Sequence, residues 1–217
     1  MKQIRLGLIS ALSACAVLAG CMTLAGTNPS TWYSSMNGRE PSGNRIYICH
    51  GFGCTYKTVV AFSEKDRKAL ARIFSKGKAS SPSAEREALS KAIIWQERRV
   101  GRIVGSSKDI GGLDMRNSGV RGQMDCIDEA TNTTSLLIYA QEQGFLKHHT
   151  VSRPVARGFF LDGRYPHATA VITEKEKGVQ WAVDSWRLAN AMPPDVMLLE
   201  KWFRVRSSEL EVPRPES

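Results

Sequence analysis

The chain runs to 217 residues and carries 30 Lys and Arg against 21 Asp and Glu, a formal net charge of +9. A basic balance of this size suits anionic neighbours such as lipid headgroups and acidic envelope polymers, or simply a solvated surface. No nucleic-acid motif accompanies it, so nucleic acid is excluded as a partner, and the length suffices for a core without a disulfide scaffold.

The first element is a targeting segment. Lys2 and Arg5 precede an apolar run from Leu6 to Leu18, too short and too interrupted by Ser10 and Ser13 for a membrane span. Leu18-Ala19-Gly20-Cys21 then matches a lipobox, in which small residues precede a cysteine whose thiol takes a diacylglycerol. Residues 1–20 read as a lipoprotein signal peptide whose removal leaves 197 of the 217 residues, with a charge of about +7. The implied partner is a membrane, reached through lipid at Cys21 and facing the periplasm. Met22 stands where an aspartate would resemble an inner-membrane retention signal, which favours the outer membrane. Residues 21–42, with Gly26, Pro29, Gly38 and Pro41, read as a lipidated, flexible tether.

Residues 43–211 read as one domain, followed by a frayed tail over 212–217. Arg45 to Cys49 and Thr55 to Phe62 are rich in β-branched and aromatic residues and predict a hairpin. Cys49 and Cys54 bracket its turn, His50-Gly51-Phe52-Gly53, and an oxidising compartment predicts a disulfide between them. A metal site of Cys49, His50 and Cys54 is the alternative. Ser63, with Asp66 three residues on, caps a helix from Glu64 to about Phe74 that stops at Gly77. A second helix opens at Ser81-Pro82, packs through Leu89, Ala92, Ile93 and Val100, and ends at Gly101 and Gly105. A glycine-bearing loop over 105–122 leads into a third helix, Cys126 to Gln143, with a stripe of Ile127, Ala130, Thr131, Thr134, Leu137 and Ile138 and a stop at Gly144. Three extended runs follow: His149 to Ala156, His167 to Thr173, and Val179 to Trp186.

Of the five cysteines, Cys15 leaves with the signal, Cys21 takes lipid, and Cys49 and Cys54 pair. Cys126 is left over, in the first turn of a helix whose free amides and dipole favour a thiolate. Asp125, Asp128 and Glu129 oppose that ionisation, so a histidine is required beside it. Hairpin spacing nominates His167. If Thr173 faces Gly178 across Glu174-Lys175-Glu176-Lys177, then His167 faces Asp184. Asp184 would accept from Nδ1–H and leave Nε2 for the thiol. His148 and His149 lack such a partner, and His50 belongs to its turn. The bland alternative is a small core cysteine with structural histidines.

Gly122-Gln123-Met124-Asp125-Cys126, Pro166-His167-Ala168-Thr169-Ala170 and Trp181-Ala182-Val183-Asp184-Ser185-Trp186 together resemble the transglutaminase-like branch of the papain-like cysteine enzymes, specifically the bacterial transglutaminase-like cysteine proteinases. The resemblance covers residues 123–186 and leaves the amino-terminal half outside it. It implies an α+β fold in which a helix bearing the cysteine packs on an antiparallel sheet bearing histidine and aspartate. It also implies Cys126 as nucleophile, His167 as base, Asp184 as its orienter, Gln123 as an oxyanion donor, and Trp186 as a shield over the His–Asp bond. The expected function is a thiol-dependent peptidase or amidase acting on an envelope protein or peptide, without cofactor or metal. The alternatives are transglutaminase-type acyl transfer, or a non-catalytic periplasmic binding module on the same fold.

Overall fold

A computed structural model describes residues 26, 28–76, 81–112, 115–158, 166–206 and 209. Residues 1–20, which read as a signal peptide, Cys21, Gly77 and residues 212–217 lie outside the described residues. The fold is α+β with antiparallel sheets. In chain order the elements are α1 (Ser30–Ser35), β1 (Arg45–His50), β2 (Tyr56–Ala61), α2 (Glu64–Lys76), α3 (Pro82–Val104), α4 (Cys126–Glu142), β3 (His149–Arg157), β4 (His167–Glu174), β5 (Gln180–Asp184), β6 (Asp195–Leu198) and α5 (Leu199–Arg204). β1 and β2 form a two-stranded sheet, and β3-β4-β5-β6 a four-stranded one.

α4 sits between the two sheets. Its expected single stripe is corrected: the helix is buried almost all round, including Thr131, Thr133, Thr134 and Ser135. Those hydroxyls make that burial tolerable. Thr131, Thr134 and Ser135 donate to the carbonyls of Ile127, Ala130 and Thr131 one turn back, at 2.6, 2.7 and 2.9 Å, so no polar group goes unpaired. Around α4, Ile46 and Ile48 of β1, Leu89 and Ile93 of α3, Leu136 and Leu137, and Ile172 and Val183 form one core. Each aliphatic side chain so buried contributes about 1.5–3 kcal/mol.

The helix ends follow the local chemistry. Ser63 and Asp66 form a reciprocal cap at α2, with Ser63 N–H donating to Asp66 at 2.8 Å and Asp66 N–H to Ser63 Oγ at 3.2 Å. Ser81 caps α3 and Pro82 takes its first position. Gly101 does not end α3. It lies inside the helix, where a Cβ would stand 2.7 Å from Ser107 Oγ, and Gly105 terminates the helix at φ 86°.

One further expectation is corrected. The tether is not loose throughout, because residues 30–35 form α1, with Trp32 and Tyr33 fully buried. Trp32 Nε1–H donates to Thr131 Oγ1 and the Tyr33 hydroxyl bonds Ser135, both at 2.9 Å, tying α1 to α4. β6 and α5 were not foreseen. α5 covers the sheet face away from α4, where Val171 and Ala182 meet Leu199 and Trp202.

Candidate functional site

Cys126 opens α4, and the turn between β1 and β2 builds the helix start. Gly51, Phe52, Gly53 and Cys54 all have positive φ, which is strained for Phe52 and Cys54. The turn is closed by a disulfide between Cys49 and Cys54. Its amides point at the helix cap. Phe52 and Cys54 N–H donate to Asp128 at 2.8 and 2.7 Å, and Gly53 N–H to Asp125 at 3.1 Å. Asp125 in turn accepts from Ile127 and Asp128 N–H, completing a capping box. Among the described residues the one cluster with metal-ligand spacing is Cys49, Cys54 and Asp128. Its sulfurs are joined to each other, and His50 bonds Gly122 N–H and Thr58 instead of turning inward.

The Cys126 thiol is 8% exposed and packs with Trp32, Ala130, Ala168 and Trp186. Its S–H donates to the Pro166 carbonyl at 3.9 Å. Burial pushes its pKa up to about 12, and the Asp125 and Asp184 carboxylates add to the rise, while the Ala168 and Cys126 amides oppose it. The expected resting thiolate is therefore corrected to a neutral thiol: desolvation outweighs the helix N-terminus.

His167 and Asp184 do meet, but not in the expected register. Thr173 pairs with Gln180 and Ala170 with Val183, two residues displaced from the expectation. A two-residue shift keeps both side chains on one face of the sheet, so the contact is diagonal rather than direct. His167 Nε2 lies 2.5 Å from Asp184 Oδ2, with both residues 5% exposed. The nitrogen assignment is also corrected. Nε2 faces the carboxylate, and Nδ1 is buried without a hydrogen-bond partner. With Nε2–H donating, Nδ1 carries a free lone pair and is the available base.

Asp184 is fixed by more than histidine. Its Oδ2 accepts from Trp202 Nε1–H at 2.7 Å and its Oδ1 from Trp186 N–H at 3.3 Å. The Trp186 and Trp202 rings lie 4.4 and 5.4 Å from the imidazole, so the tryptophan expected as a shield is accompanied by a second one. Ser185 bonds Glu129 at 2.7 Å and Thr133 at 3.0 Å, tying the end of β5 to the first turns of α4. Alternation along β4 sends Ala168 towards Cys126 and His167 towards Asp184. The thiol thus borders the start of β4 at Pro166 and Ala168, and it makes no hydrogen bond with the imidazole.

Gln123 is differently employed. Its Nε2 donates to the Lys108 carbonyl and its Oε1 accepts from Asn117, both at 3.2 Å, so the carboxamide braces the loop over 105–122 rather than standing free as an oxyanion donor. His149, a rival base, is fully buried, with Nδ1 2.9 Å from Glu85. Sequence marks Glu85 only as an acid suited to the start of α3, not as the acceptor for residues 147–149, and it does not mark Trp202. Trp202 lies eighteen residues beyond Asp184 in a helix too short to leave a periodic signal. Comparison with known proteins returns no matching family model, no matching curated protein and no matching solved structure.

Proposed function

We propose that the chain is a thiol-dependent amide hydrolase, a peptidase or amidase with a papain-like, transglutaminase-like core, held at the periplasmic face of the outer membrane by lipid on Cys21. The observation that carries this reading is the buried His167–Asp184 pair, in which His167 opens β4 between the Pro166 and Ala168 backbone groups that border the Cys126 thiol. With the thiol neutral at rest, His167 serves as a general base rather than as half of an ion pair. The Cys126 S–H turns from the Pro166 carbonyl to Nδ1, which takes the proton as Sγ attacks the amide carbon. The Cys126 backbone N–H, at the helix start, supports the oxyanion. His167 returns the proton to the leaving nitrogen, the C–N bond breaks, and a thioester remains on Cys126. Water, deprotonated by His167, then releases the acid and restores the thiol. An amine in place of water gives the transglutaminase outcome through the same first step.

A second reading is a non-catalytic binding module. It is favoured by the neutral, 8% exposed thiol and by an Nδ1 that makes no hydrogen bond to it. Hydrolysis of denatured protein substrates separates the two. Cys126→Ala should abolish activity, His167→Ala should cost about 10²–10⁴-fold, and Asp184→Asn should cost less, because an amide oxygen still accepts from Nε2–H. Cleavage that survives Cys126→Ala would refute the hydrolase reading, and retention of a specific binding activity in all three variants would support the module.

A further inference from the structure

The Asp184 carboxylate has one oxygen, Oδ2, that receives two N–H donors: His167 Nε2–H at 2.5 Å and Trp202 Nε1–H at 2.7 Å. We propose that Trp202, on a carboxy-terminal helix outside the segment that carries the cysteine, histidine and aspartate, is a positioning residue for His167, acting through Asp184. The proposal rests on the hydrolase reading for its catalytic consequence, but its structural claim stands apart from it.

The geometry favours positioning over mere packing. A carboxylate held by one donor can rotate about its Cβ–Cγ bond and exchange its oxygens. Asp184 Oδ1 has a weaker hold, the Trp186 N–H at 3.3 Å. The indole N–H therefore decides which oxygen faces the imidazole. Charge-assisted bonds of this kind are short and about twice as strong as neutral ones, so a second donor on the same oxygen fixes its place firmly. The indole is itself immobilised. Trp202 is 1% exposed, packs with Val171, Ala182 and Leu199, and has the Arg157 guanidinium 4.3 Å from its ring centroid. Arg157 pairs with His167 across β3 and β4. Trp202 thus touches both members of the pair, through its N–H to Asp184 and through its ring to His167 at 5.4 Å. A purely packing role needs the ring but not the N–H.

Trp202→Phe separates these roles, since it keeps an aromatic ring and removes the donor. The readout is the imidazole Nε2–H proton, measured by NMR on the full chain. In wild type it should be strongly deshielded and slow to exchange, as a buried bond to a carboxylate requires. It should remain so in Cys126→Ala. In Trp202→Phe it should be lost or moved far upfield while the far-UV circular dichroism is unchanged. Under the hydrolase reading kcat should fall about 10-fold with KM unchanged, the loss expected for one hydrogen bond to a charged group. An unchanged resonance in a folded Trp202→Phe protein would overturn the positioning role, as would its absence from wild type. If Trp202→Phe does not fold, Asp184→Asn tests the same contact from the other side. There the Trp202 indole N–H resonance should move upfield, and an unmoved one would overturn the proposal. Activity that survives Cys126→Ala refutes the hydrolase reading without touching these resonances.

Discussion

The Asp128 carboxylate accepts the Cys54 backbone N–H at 2.7 Å, so the disulfide-closed turn between β1 and β2 caps the helix that carries Cys126. Two distant sequence features, a short cysteine loop and a helix start, form one unit. Asp128→Ala would strand the Phe52 and Cys54 donors and break the capping box, at a cost of about 3 kcal/mol. Replacing Cys49 and Cys54 together by Ser should cost less, because the closed loop is short. In a double-mutant cycle by urea denaturation the two changes should be non-additive, each removing part of what the other needs. Strictly additive losses would show that the turn and the cap are independent.

Stability should fall as pH rises through the neutral range. Glu97 and Glu129 line a small cavity with Gln96 and Thr133 beside α4. Burial, with added repulsion from Asp109, pushes Glu97 up to about 8. Burial, with repulsion from Glu97 and Asp109, raises Glu129 well above the carboxylate range. In the unfolded chain both titrate near about 4.3. Above that value the folded protein holds more protons, so the stability these groups contribute is complete at low pH and is lost as pH rises, for Glu97 towards about 8. The slope should approach about 1.4 kcal/mol per pH unit for each proton involved. Thermal melts from pH 5 to 8 should show it, and Glu97→Gln should flatten it. A level profile in wild type would contradict this account.

Glu85, in the first turn of α3, gathers the Lys147, His148 and His149 N–H groups and His149 Nδ1 onto one carboxylate. It joins α3 to the start of β3. Glu85→Ala should cost about 3 kcal/mol or more by leaving buried donors without an acceptor. Glu85→Gln should cost less, because one acceptor oxygen remains. Chemical denaturation orders the three proteins, and equal midpoints would contradict the role.

The proposed anchoring rests on Leu18-Ala19-Gly20-Cys21. Cys21→Ser should abolish incorporation of labelled fatty acid and leave unprocessed precursor or unlipidated protein. Undiminished labelling of that variant would remove the proposed anchor.

The local elements were legible because each announces itself within a few residues. The reciprocal cap of Ser63 and Asp66, the Ser81-Pro82 helix start and the hairpin closed by Cys49 and Cys54 stand where sequence puts them. The meeting of His167 with Asp184 was legible for a less exact reason. A two-residue error in strand register returns a side chain to the same face, so the contact survived a wrong register. What was not legible depends on tertiary packing. Trp202 reaches Asp184 only because α5 folds back over the sheet, and the loss of Gln123 to the loop depends on Lys108 and Asn117. The thiol's ionisation was misjudged because the amides of a helix start are visible in sequence, whereas the burial that outweighs them is not.

The central claim, that His167 makes a nucleophile of Cys126, is tested most directly by acylation with an activated ester. The full chain would be exposed to p-nitrophenyl acetate and the acetyl group located by peptide mass spectrometry, in wild type and in His167→Ala. The account predicts a thioester on Cys126 in wild type, formed at neutral pH despite the thiol's high resting pKa, with the rate falling about 10²-fold or more in His167→Ala. Equal rates in the two proteins, or no acetyl group on Cys126 in wild type, would contradict it.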